Sequence, residues 1–281
     1  MKYGINMLLW ATDLNESHYP LIENIKNWGY DAIEFPIFNY DLSHFKKIGS
    51  KLDDLELERT TVAINTPESN PISLDPAIRK TAIENLKRSV DVAYASGSKI
   101  LCGPLHSAIG LASATGPTSD ELKYCSEVLT QVADHAKEAD ITLALEYLNR
   151  FECYILTCAT DLVSFVKEVN HPNLKLMYDT FHANIEEKNI EQAIRESAEL
   201  CVHFHIAEND RSTPGQGGVD WKTTFKTLKD VNYDGMMTIE AFGQAIPDMV
   251  SSMHIWRKMY PNEEYLAKKG LEFMKNSWEN L

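Results

Sequence analysis

Residues 75–105 read DPAIRKTAIENLKRSVDVAYASGSKILCGPL and contain one complete helix-to-strand unit. Asp75 can cap the N-terminus of a helix, Pro76 suits its first turn, and Gly97 suits its exit. The run that follows, residues 99–105, is short and largely apolar, which is typical of a buried strand. This stretch therefore predicts a crossover helix that leads directly into a parallel strand.

The same alternation of short β-rich runs with longer amphipathic segments continues along the whole chain. Eight such units in about 250 residues are what a (β/α)8 barrel requires. We therefore predict the α/β class and a single-domain (β/α)8 TIM barrel over residues 1–281. A doubly wound open sheet is the alternative, but no Gly-rich phosphate-binding fingerprint follows the first run. The eight predicted strands are 3–10, 31–38, 59–65, 99–105, 142–148, 174–179, 201–208 and 236–242.

Composition excludes several classes of partner. The chain has 281 residues, 44% of them hydrophobic, and its 41 acidic against 27 basic residues give a net charge of −14. Such a charge repels phosphate backbones and anionic membrane surfaces, so we expect neither nucleic acid nor membrane as a partner. The first residues lack an extended apolar region with a cleavage site, and no segment approaches the roughly 20 apolar residues of a membrane helix. The five scattered cysteines include no CxxC pair, so we expect reduced thiols in a cytoplasmic protein.

The predicted strands five to eight each carry one residue that can bind a metal or move a proton. These residues are Glu146, Asp179, His205 and Glu240. In such a barrel, chemistry gathers at the C-terminal ends of the strands. Apolar residues flank Glu146, His205 and Glu240 on both sides, so all four side chains can face the barrel axis.

Three carboxylates and one imidazole at a single point would repel one another unless a cation lay between them. Oxygen-rich ligation with one nitrogen suits Mn²⁺, Co²⁺ or Mg²⁺ better than a closed zinc site. We expect one divalent metal ion, with Mn²⁺ as the first choice. Four ligands also leave coordination positions open for a substrate or water.

Two further features belong to the same part of the chain. His203 shares a strand face with His205 and is expected to lie deeper in the barrel, in the core or behind the ligands. The stretch NDRSTPGQGG (209–218) is interpreted as an active-site loop. The segments GYDAIE (29–34) and NYDGMMTIE (232–240) both lead through Tyr-Asp into a strand that carries a glutamate, which is a weak sign of a repeat.

Four motifs carry a resemblance to a known family. The segments LALEYLNRFE (143–152), MYDTFHANIEE (177–187), HFHIAENDR (203–211) and TIEAF (238–242) resemble those of the ketose 3-epimerases. This family comprises the D-tagatose, D-psicose and L-ribulose 3-epimerases within the xylose-isomerase-like barrels. The similarity extends from YGIN near the start to WRKM near residue 256, so it covers nearly the whole chain.

The resemblance implies a function and a set of roles. It implies that Glu146, Asp179, His205 and Glu240 bind the metal and that Glu146 and Glu240 lie on opposite sides of carbon 3 of a ketose. Glu152, His182 and Arg211 match the positions that hold the sugar at its first two oxygens. It also implies a homo-oligomer, a homodimer or homotetramer.

The chemistry needs these residue types for reasons independent of the family. A metal that binds a carbonyl oxygen stabilises the enediolate formed when the neighbouring carbon loses its proton. Inversion then requires one carboxylate to take a proton from one face and a second carboxylic acid to deliver one to the opposite face. Glu146 and Glu240 can supply this pair. Because the chain is acidic and Arg211 is the one obvious cation of the later loops, we expect an unphosphorylated ketose.

The sequence departs from the family around the far end of the sugar. Ala108 and Ile109 follow the LHS of residues 105–107, where the family places a large aromatic residue, and the first strand has Asn6 and Met7 where it tends to have tyrosine or phenylalanine. These differences leave the preferred ketose and the role of loop 106–119 open.

Four other functions remain open at this point. An aldose–ketose isomerase, or a dehydratase acting on a keto-sugar or keto-inositol, would use the same metal site. A metal-dependent nuclease would need more histidines on strands three, four and six, and a different net charge. A non-catalytic sugar-binding barrel would not need two carboxylates on either side of one carbon.

Overall fold

The computed structural model describes residues 1–280. Its eight strands are β1 (Lys2–Asn6), β2 (Ala32–Pro36), β3 (Glu58–Val62), β4 (Ile100–Gly103), β5 (Thr142–Leu145), β6 (Leu174–Asp179), β7 (Cys201–Ile206) and β8 (Met236–Ile239). All neighbouring pairs are parallel, and β8 pairs with β1 to close the ring. The predicted (β/α)8 barrel is confirmed. The doubly wound alternative is wrong, because an open sheet would leave two unpaired edges.

Helices surround the sheet and join its strands. Within residues 1–280 they are α1 (Tyr19–Trp28), α2 (Leu42–Asp54), α3 (Pro76–Ser96), α4 (Ser119–Glu138), α5 (Ala159–Val169), α6 (Thr180–Glu186), α7 (Ile190–Ser197), α8 (Trp221–Asp230), α9 (Pro247–Ser252) and α10 (Glu263–Glu279). None of the helices in this part of the chain combines the length and the apolar character needed to span a bilayer.

Helix α3 forms where its capping residues predict it. The Asp75 side chain accepts a hydrogen bond from the backbone N–H of Ala77, and Pro76 occupies the first position. At the other end Gly97 adopts φ of 78°, a left-handed conformation that a glycine reaches without steric cost. The helix thus begins and ends at the residues that the sequence indicates.

The outer face of the barrel sheet is apolar, and its inner face carries both apolar and polar side chains. Side chains that point outward from the strands pack against the helices in the main core, which includes Leu145, Tyr178 and Phe204. A smaller apolar group, Val62, Cys102, Ala144 and Met177, lies on the opposite face of the same strands and fills part of the barrel interior. Other interior positions, among them those of Glu34, His203 and Thr238, are polar.

Register places the polar residues of β6, β7 and β8 side by side. Asp179 pairs with His205, and Ile206 pairs with Ile239, the residue before Glu240. On the other side of β6, the backbone N–H of Glu146 donates to the carbonyl oxygen of Gly103 on β4. The four candidate ligands are therefore brought to the same end of four consecutive strands.

Candidate active site

The four predicted metal ligands converge inside the barrel. All are buried, and one donor atom from each lies within 4.8 Å of the donor atoms of the others. His205 Nδ1 lies 3.6 Å from Asp179 Oδ2 and 3.6 Å from Glu240 Oε1. This nitrogen is buried and has no hydrogen-bond partner among residues 1–280. A buried imidazole nitrogen without a partner that faces two carboxylates fits a divalent cation, so these residues suit the metal that the sequence predicts.

The pKa values of the carboxylates in this cluster are shifted in opposite directions. Burial raises the pKa of Glu146, and the carboxylates of Glu240 and Asp179 raise it further, although His182 opposes the shift. Burial alone would also raise the pKa of Asp179, but Arg211 and the neighbouring imidazoles more than offset this and hold it well below its usual range. The carboxylates thus differ in proton affinity because their neighbours differ.

His182 and Glu152 are held together by Asn149. The backbone N–H of Asn149 donates to His182 Nδ1 over 3.0 Å, and its side-chain amide donates to Glu152 Oε1 over 2.7 Å. His182 Nε2 lies 3.4 Å from Glu146 Oε1 and 3.1 Å from Arg211 Nη2. Asn149 therefore fixes two of the three residues that the resemblance assigns to the sugar, and sequence reasoning did not single it out.

Arg211 reaches the site from the loop after β7. Its Nη1 donates to Asp179 Oδ2 over 3.0 Å and to Glu240 Oε2 over 2.6 Å. Its guanidinium stacks on the ring of Phe181, 3.7 Å from the ring centroid. The backbone at Arg211 has φ of 59°, a left-handed conformation that non-glycine residues rarely adopt. The local chain is thus bent to bring this side chain to the carboxylates.

Glu208 holds the loop that carries Arg211. Its fully buried carboxylate accepts hydrogen bonds of 2.9 to 3.1 Å from the backbone N–H groups of Asn209, Gly215 and Val219 and from the indole N–H of Trp221. The four donors lie along residues 209–221, so one carboxylate closes the whole loop. Glu208 is the last residue of the predicted strand 201–208, and sequence reasoning gave it no role.

Glu34 on β2 contacts both histidines of β7. His203 Nε2 lies 2.8 Å from Glu34 Oε2, and His205 Nε2 lies 2.8 Å from Glu34 Oε1. All three side chains have zero exposure. Burial alone would raise the pKa of Glu34, but His205 and His203 more than offset this and keep it well below its ordinary value. The expected position of His203, deep behind the ligands, agrees with this geometry, whereas Glu34 was missed.

The start of loop 106–119 forms hydrogen bonds with the backbone of the residues that carry the site. Burial lowers the pKa of His106 to about 4, so the ring is neutral at neutral pH. Its Nε2 lies 2.9 Å from the backbone oxygen of Glu146, and its Nδ1 lies 3.0 Å from Ser107 Oγ. The backbone N–H of Gly110 donates to the carbonyl oxygen of Glu152 over 2.7 Å. This segment therefore steadies the backbone at Glu146 and Glu152.

A cavity of about 320 Å³ opens above these residues. One side is lined by Glu146, Glu152, His182, Arg211 and Glu240, and the other is largely apolar, with Leu8, Phe38, Ile64, Ile109, Phe242 and Met253 among its residues. Ile109 thus borders the cavity, as expected. The expectation that Asn6 and Met7 shape it is wrong, because the Asn6 amide donates to Glu34 below and Met7 is fully buried in the core.

Comparison with known proteins gives the family that the sequence motifs resemble. The family model of the xylose isomerase-like TIM barrel matches residues 22–277. The L-ribulose 3-epimerase of Methylomonas sp. is 31% identical over 99% of this chain and 98% of its own length. The D-psicose 3-epimerase of Agrobacterium fabrum is 31% identical over 92% of this chain and 91% of its own length.

A solved structure extends the likeness to three dimensions. The D-allulose 3-epimerase of Methylomonas sp., crystallised in complex with D-allulose, superposes with a TM-score of 0.91 at 29% identity and covers 99% of this chain and 97% of its own. The fold, the polar centre at the strand ends and these matches over nearly the full length agree. The chain belongs to the xylose isomerase-like TIM barrel family and, within it, to the ketose 3-epimerases, which are isomerase-class enzymes.

Proposed function

We propose that this enzyme inverts carbon 3 of a free ketose with Glu146 and Glu240 as its acid–base pair. The observation that carries the proposal is that both carboxylates line one cavity from non-adjacent strands. Since β6 and β7 lie between β5 and β8, the two side chains approach a bound sugar from different sides. One can remove the proton from carbon 3, and the other can return a proton to the opposite face of the enediolate.

Glu146, Asp179, His205 and Glu240 would hold one divalent metal ion, for which we propose Mn²⁺, with Co²⁺ or Mg²⁺ as alternatives. When bound, this ion would polarise the substrate carbonyl and offset the negative charge that develops as the proton leaves. His205 contributes the only nitrogen of the set, and mixed nitrogen and oxygen ligation suits Mn²⁺ and Co²⁺. Calorimetric titration of metal-stripped protein should give one site per chain. Undiminished binding in His205→Ala and Asp179→Asn would contradict the assignment.

Glu152, His182 and Arg211 would hold the first two oxygens of the sugar. His182 presents an imidazole nitrogen, Arg211 presents a guanidinium fork, and Glu152 presents a carboxylate, so hydroxyl and carbonyl groups both find partners. Arg211 is the only lysine or arginine among the described residues that line the cavity. A phosphate dianion would need more positive charge than this, which supports an unphosphorylated substrate.

Deuterium labelling tests the reaction. D-allulose is a suitable first substrate, since the solved relative binds it. In D₂O, proton NMR should show deuterium at carbon 3 of the epimerised product during early turnover. An aldose–ketose isomerase would label carbon 1 or carbon 2 instead, and a dehydratase would release water and form no epimer. Label found only at another carbon would decide against the epimerase.

Two matched variants test the pair of glutamates. Glu146→Gln and Glu240→Gln keep an oxygen at each position but remove the group that exchanges a proton, so epimerisation should fall by about 10²-fold or more in both. Glu138→Gln, at the exposed end of α4, is the control and should keep wild-type activity. Wild-type turnover in either active-site variant would refute the two-base scheme.

We also propose that the enzyme is a cytoplasmic homodimer or homotetramer and that residues 1–281 form one domain. All five cysteines are free thiols, which suits a reducing compartment. Phe151 and Leu74 are 78% and 77% exposed, and large apolar side chains at a surface favour association with another chain. Light scattering on eluted protein tests this, and a mass near 31.9 kDa would contradict it.

A further inference from the structure

Glu34 is a buried carboxylate that the proposed reaction leaves without a role. It lies on β2, across the barrel from β7, and it has zero exposure. A buried carboxylate is costly unless it is fully hydrogen-bonded. Its surroundings therefore indicate what it does.

Every direction around this carboxylate is filled by a polar contact. Oε1 accepts from the amide of Asn6 over 2.8 Å and lies 2.8 Å from His205 Nε2. Oε2 accepts from Thr60 Oγ1 over 2.7 Å and from Cys102 Sγ over 3.1 Å. The carboxylate is therefore satisfied as an anion, and His205 is one of its donors.

The contact with His205 determines which ring nitrogen is free. When Nε2 donates its proton to Glu34, a neutral imidazole has its lone pair on Nδ1. That lone pair faces Asp179 and Glu240 at 3.6 Å. Outer carboxylates that fix a ligating histidine in this way commonly change metal affinity by 10- to 100-fold when they are removed.

A second metal site is the rival interpretation of the same residues. Glu34, Cys102, His203 and His205 offer donor atoms within 4.8 Å of one another. However, each histidine Nε2 lies only 2.8 Å from a Glu34 oxygen, whereas ligands in a tetrahedral site are about 3.4 Å apart. The amide of Asn6 and the hydroxyl of Thr60 also direct donors at the carboxylate. This geometry favours direct contacts of both histidines with Glu34, with a hydrogen bond at His205, over a bridging ion.

We propose that Glu34 is a positioning residue that holds His205 with Nδ1 directed at the metal site. His203, 2.8 Å from the other oxygen of the same carboxylate, keeps the carboxylate turned toward β7. This inference rests on the proposed function only in that His205 is a ligand. It explains why one strand directs two imidazoles into the barrel, since one binds the ion and both meet the same carboxylate.

Metal binding to stripped protein tests the proposal without any assay of turnover. Mn²⁺ should bind Glu34→Gln about tenfold more weakly than wild type, because the amide keeps a neutral acceptor, and Glu34→Leu more weakly still. The visible absorption bands of bound Co²⁺ should shift in both variants. Thr60→Val is the matched control, because it removes another donor to the same carboxylate without touching His205, and it should bind within threefold of wild type. If Glu34→Leu fails to fold, Glu34→Gln decides.

Three results would overturn the proposal. The first is less than a threefold loss of affinity in Glu34→Gln with unchanged Co²⁺ bands. The second is an equal loss in Thr60→Val, which would show a general effect on the core. The third is two ions per chain in wild type, with one lost in Glu34→Gln, which would establish a second metal site. If His205→Ala binds the ion as wild type does, the proposed ligand set fails as well, so that failure is distinguished from failure of Glu34 alone.

Discussion

Replacement of Glu208 by glutamine should loosen the loop that carries Arg211. The carboxylate of Glu208 accepts four hydrogen bonds, two at each oxygen. Glutamine keeps one oxygen and places an NH₂ group against the two donors that faced the other. The variant therefore loses two charge-assisted hydrogen bonds. The two N–H groups that made them then face the NH₂ group of the glutamine, which cannot accept a hydrogen bond.

The magnitude follows from these contacts. Hydrogen bonds to a charged group contribute about 1.5 to 3 kcal/mol each, so the loss of two at the lower value costs about 3 kcal/mol. With an unfolding entropy of about 2.1 cal/mol/K per residue, this corresponds to a fall in Tm of roughly 5 °C for a chain of 281 residues. Displacement of Arg211 by about 1 Å should also lower kcat/KM by about 10- to 100-fold.

Scanning calorimetry and initial-rate measurements on the same preparations check both effects. Glu199→Gln is the matched control, because Glu199 is largely exposed and its contact with Lys167 is 3.8 Å long. It should change stability by less than about 0.5 kcal/mol. A Tm within about 2 °C of wild type in Glu208→Gln, with unchanged kcat/KM, would show that the loop is held by other contacts.

Two further predictions follow from the cavity and its supports. A free ketose should be turned over with a higher kcat/KM than its phosphate ester, because Arg211 is the only lysine or arginine among the described lining residues; a large preference for the ester, measured by initial rates, would contradict this. Asn149→Ala should lower kcat/KM by about 5- to 30-fold, since Glu152 loses a donor worth roughly 1 to 2 kcal/mol while the backbone N–H still holds His182. An unchanged value in that variant would mean that Glu152 is oriented without Asn149.

The alternation of strands and helices was predictable because it depends on local patterns. The caps of α3 at Asp75 and Gly97 and the eight apolar runs all reflect neighbours along the chain. The ends of the strands were not predictable to the residue. Residues 143–148 form one continuous buried run, yet β5 ends at Leu145, so burial continues into the loop and does not mark the end of the strand.

The candidate ligands could be placed because strand parity and strand order act together. Glu146, Asp179, His205 and Glu240 lie on four consecutive strands, so one rule brings all of them to the same end of the barrel. Glu34 obeys the same parity, since Ile33 and Phe35 flank it. It was missed because its histidine partners lie on β7, about 170 residues later, and no local pattern records a contact across the barrel.

The histidine partners of Glu34 emerge from the ribosome long after Glu34 itself. Until β7 is made, only Asn6, Thr60 and Cys102 can donate to this carboxylate, and enclosing an anion with an incomplete set of donors costs free energy. A nascent half-barrel therefore has a lower free energy when Glu34 on β2 is exposed to water than when it is packed into a closed interior. Partly folded forms that lack the second half of the chain are destabilised by the charge of Glu34. In the complete barrel, His205 and His203 contact this carboxylate. The contact between β2 and β7 thus makes folding of the barrel more nearly all-or-none and discourages compact intermediates.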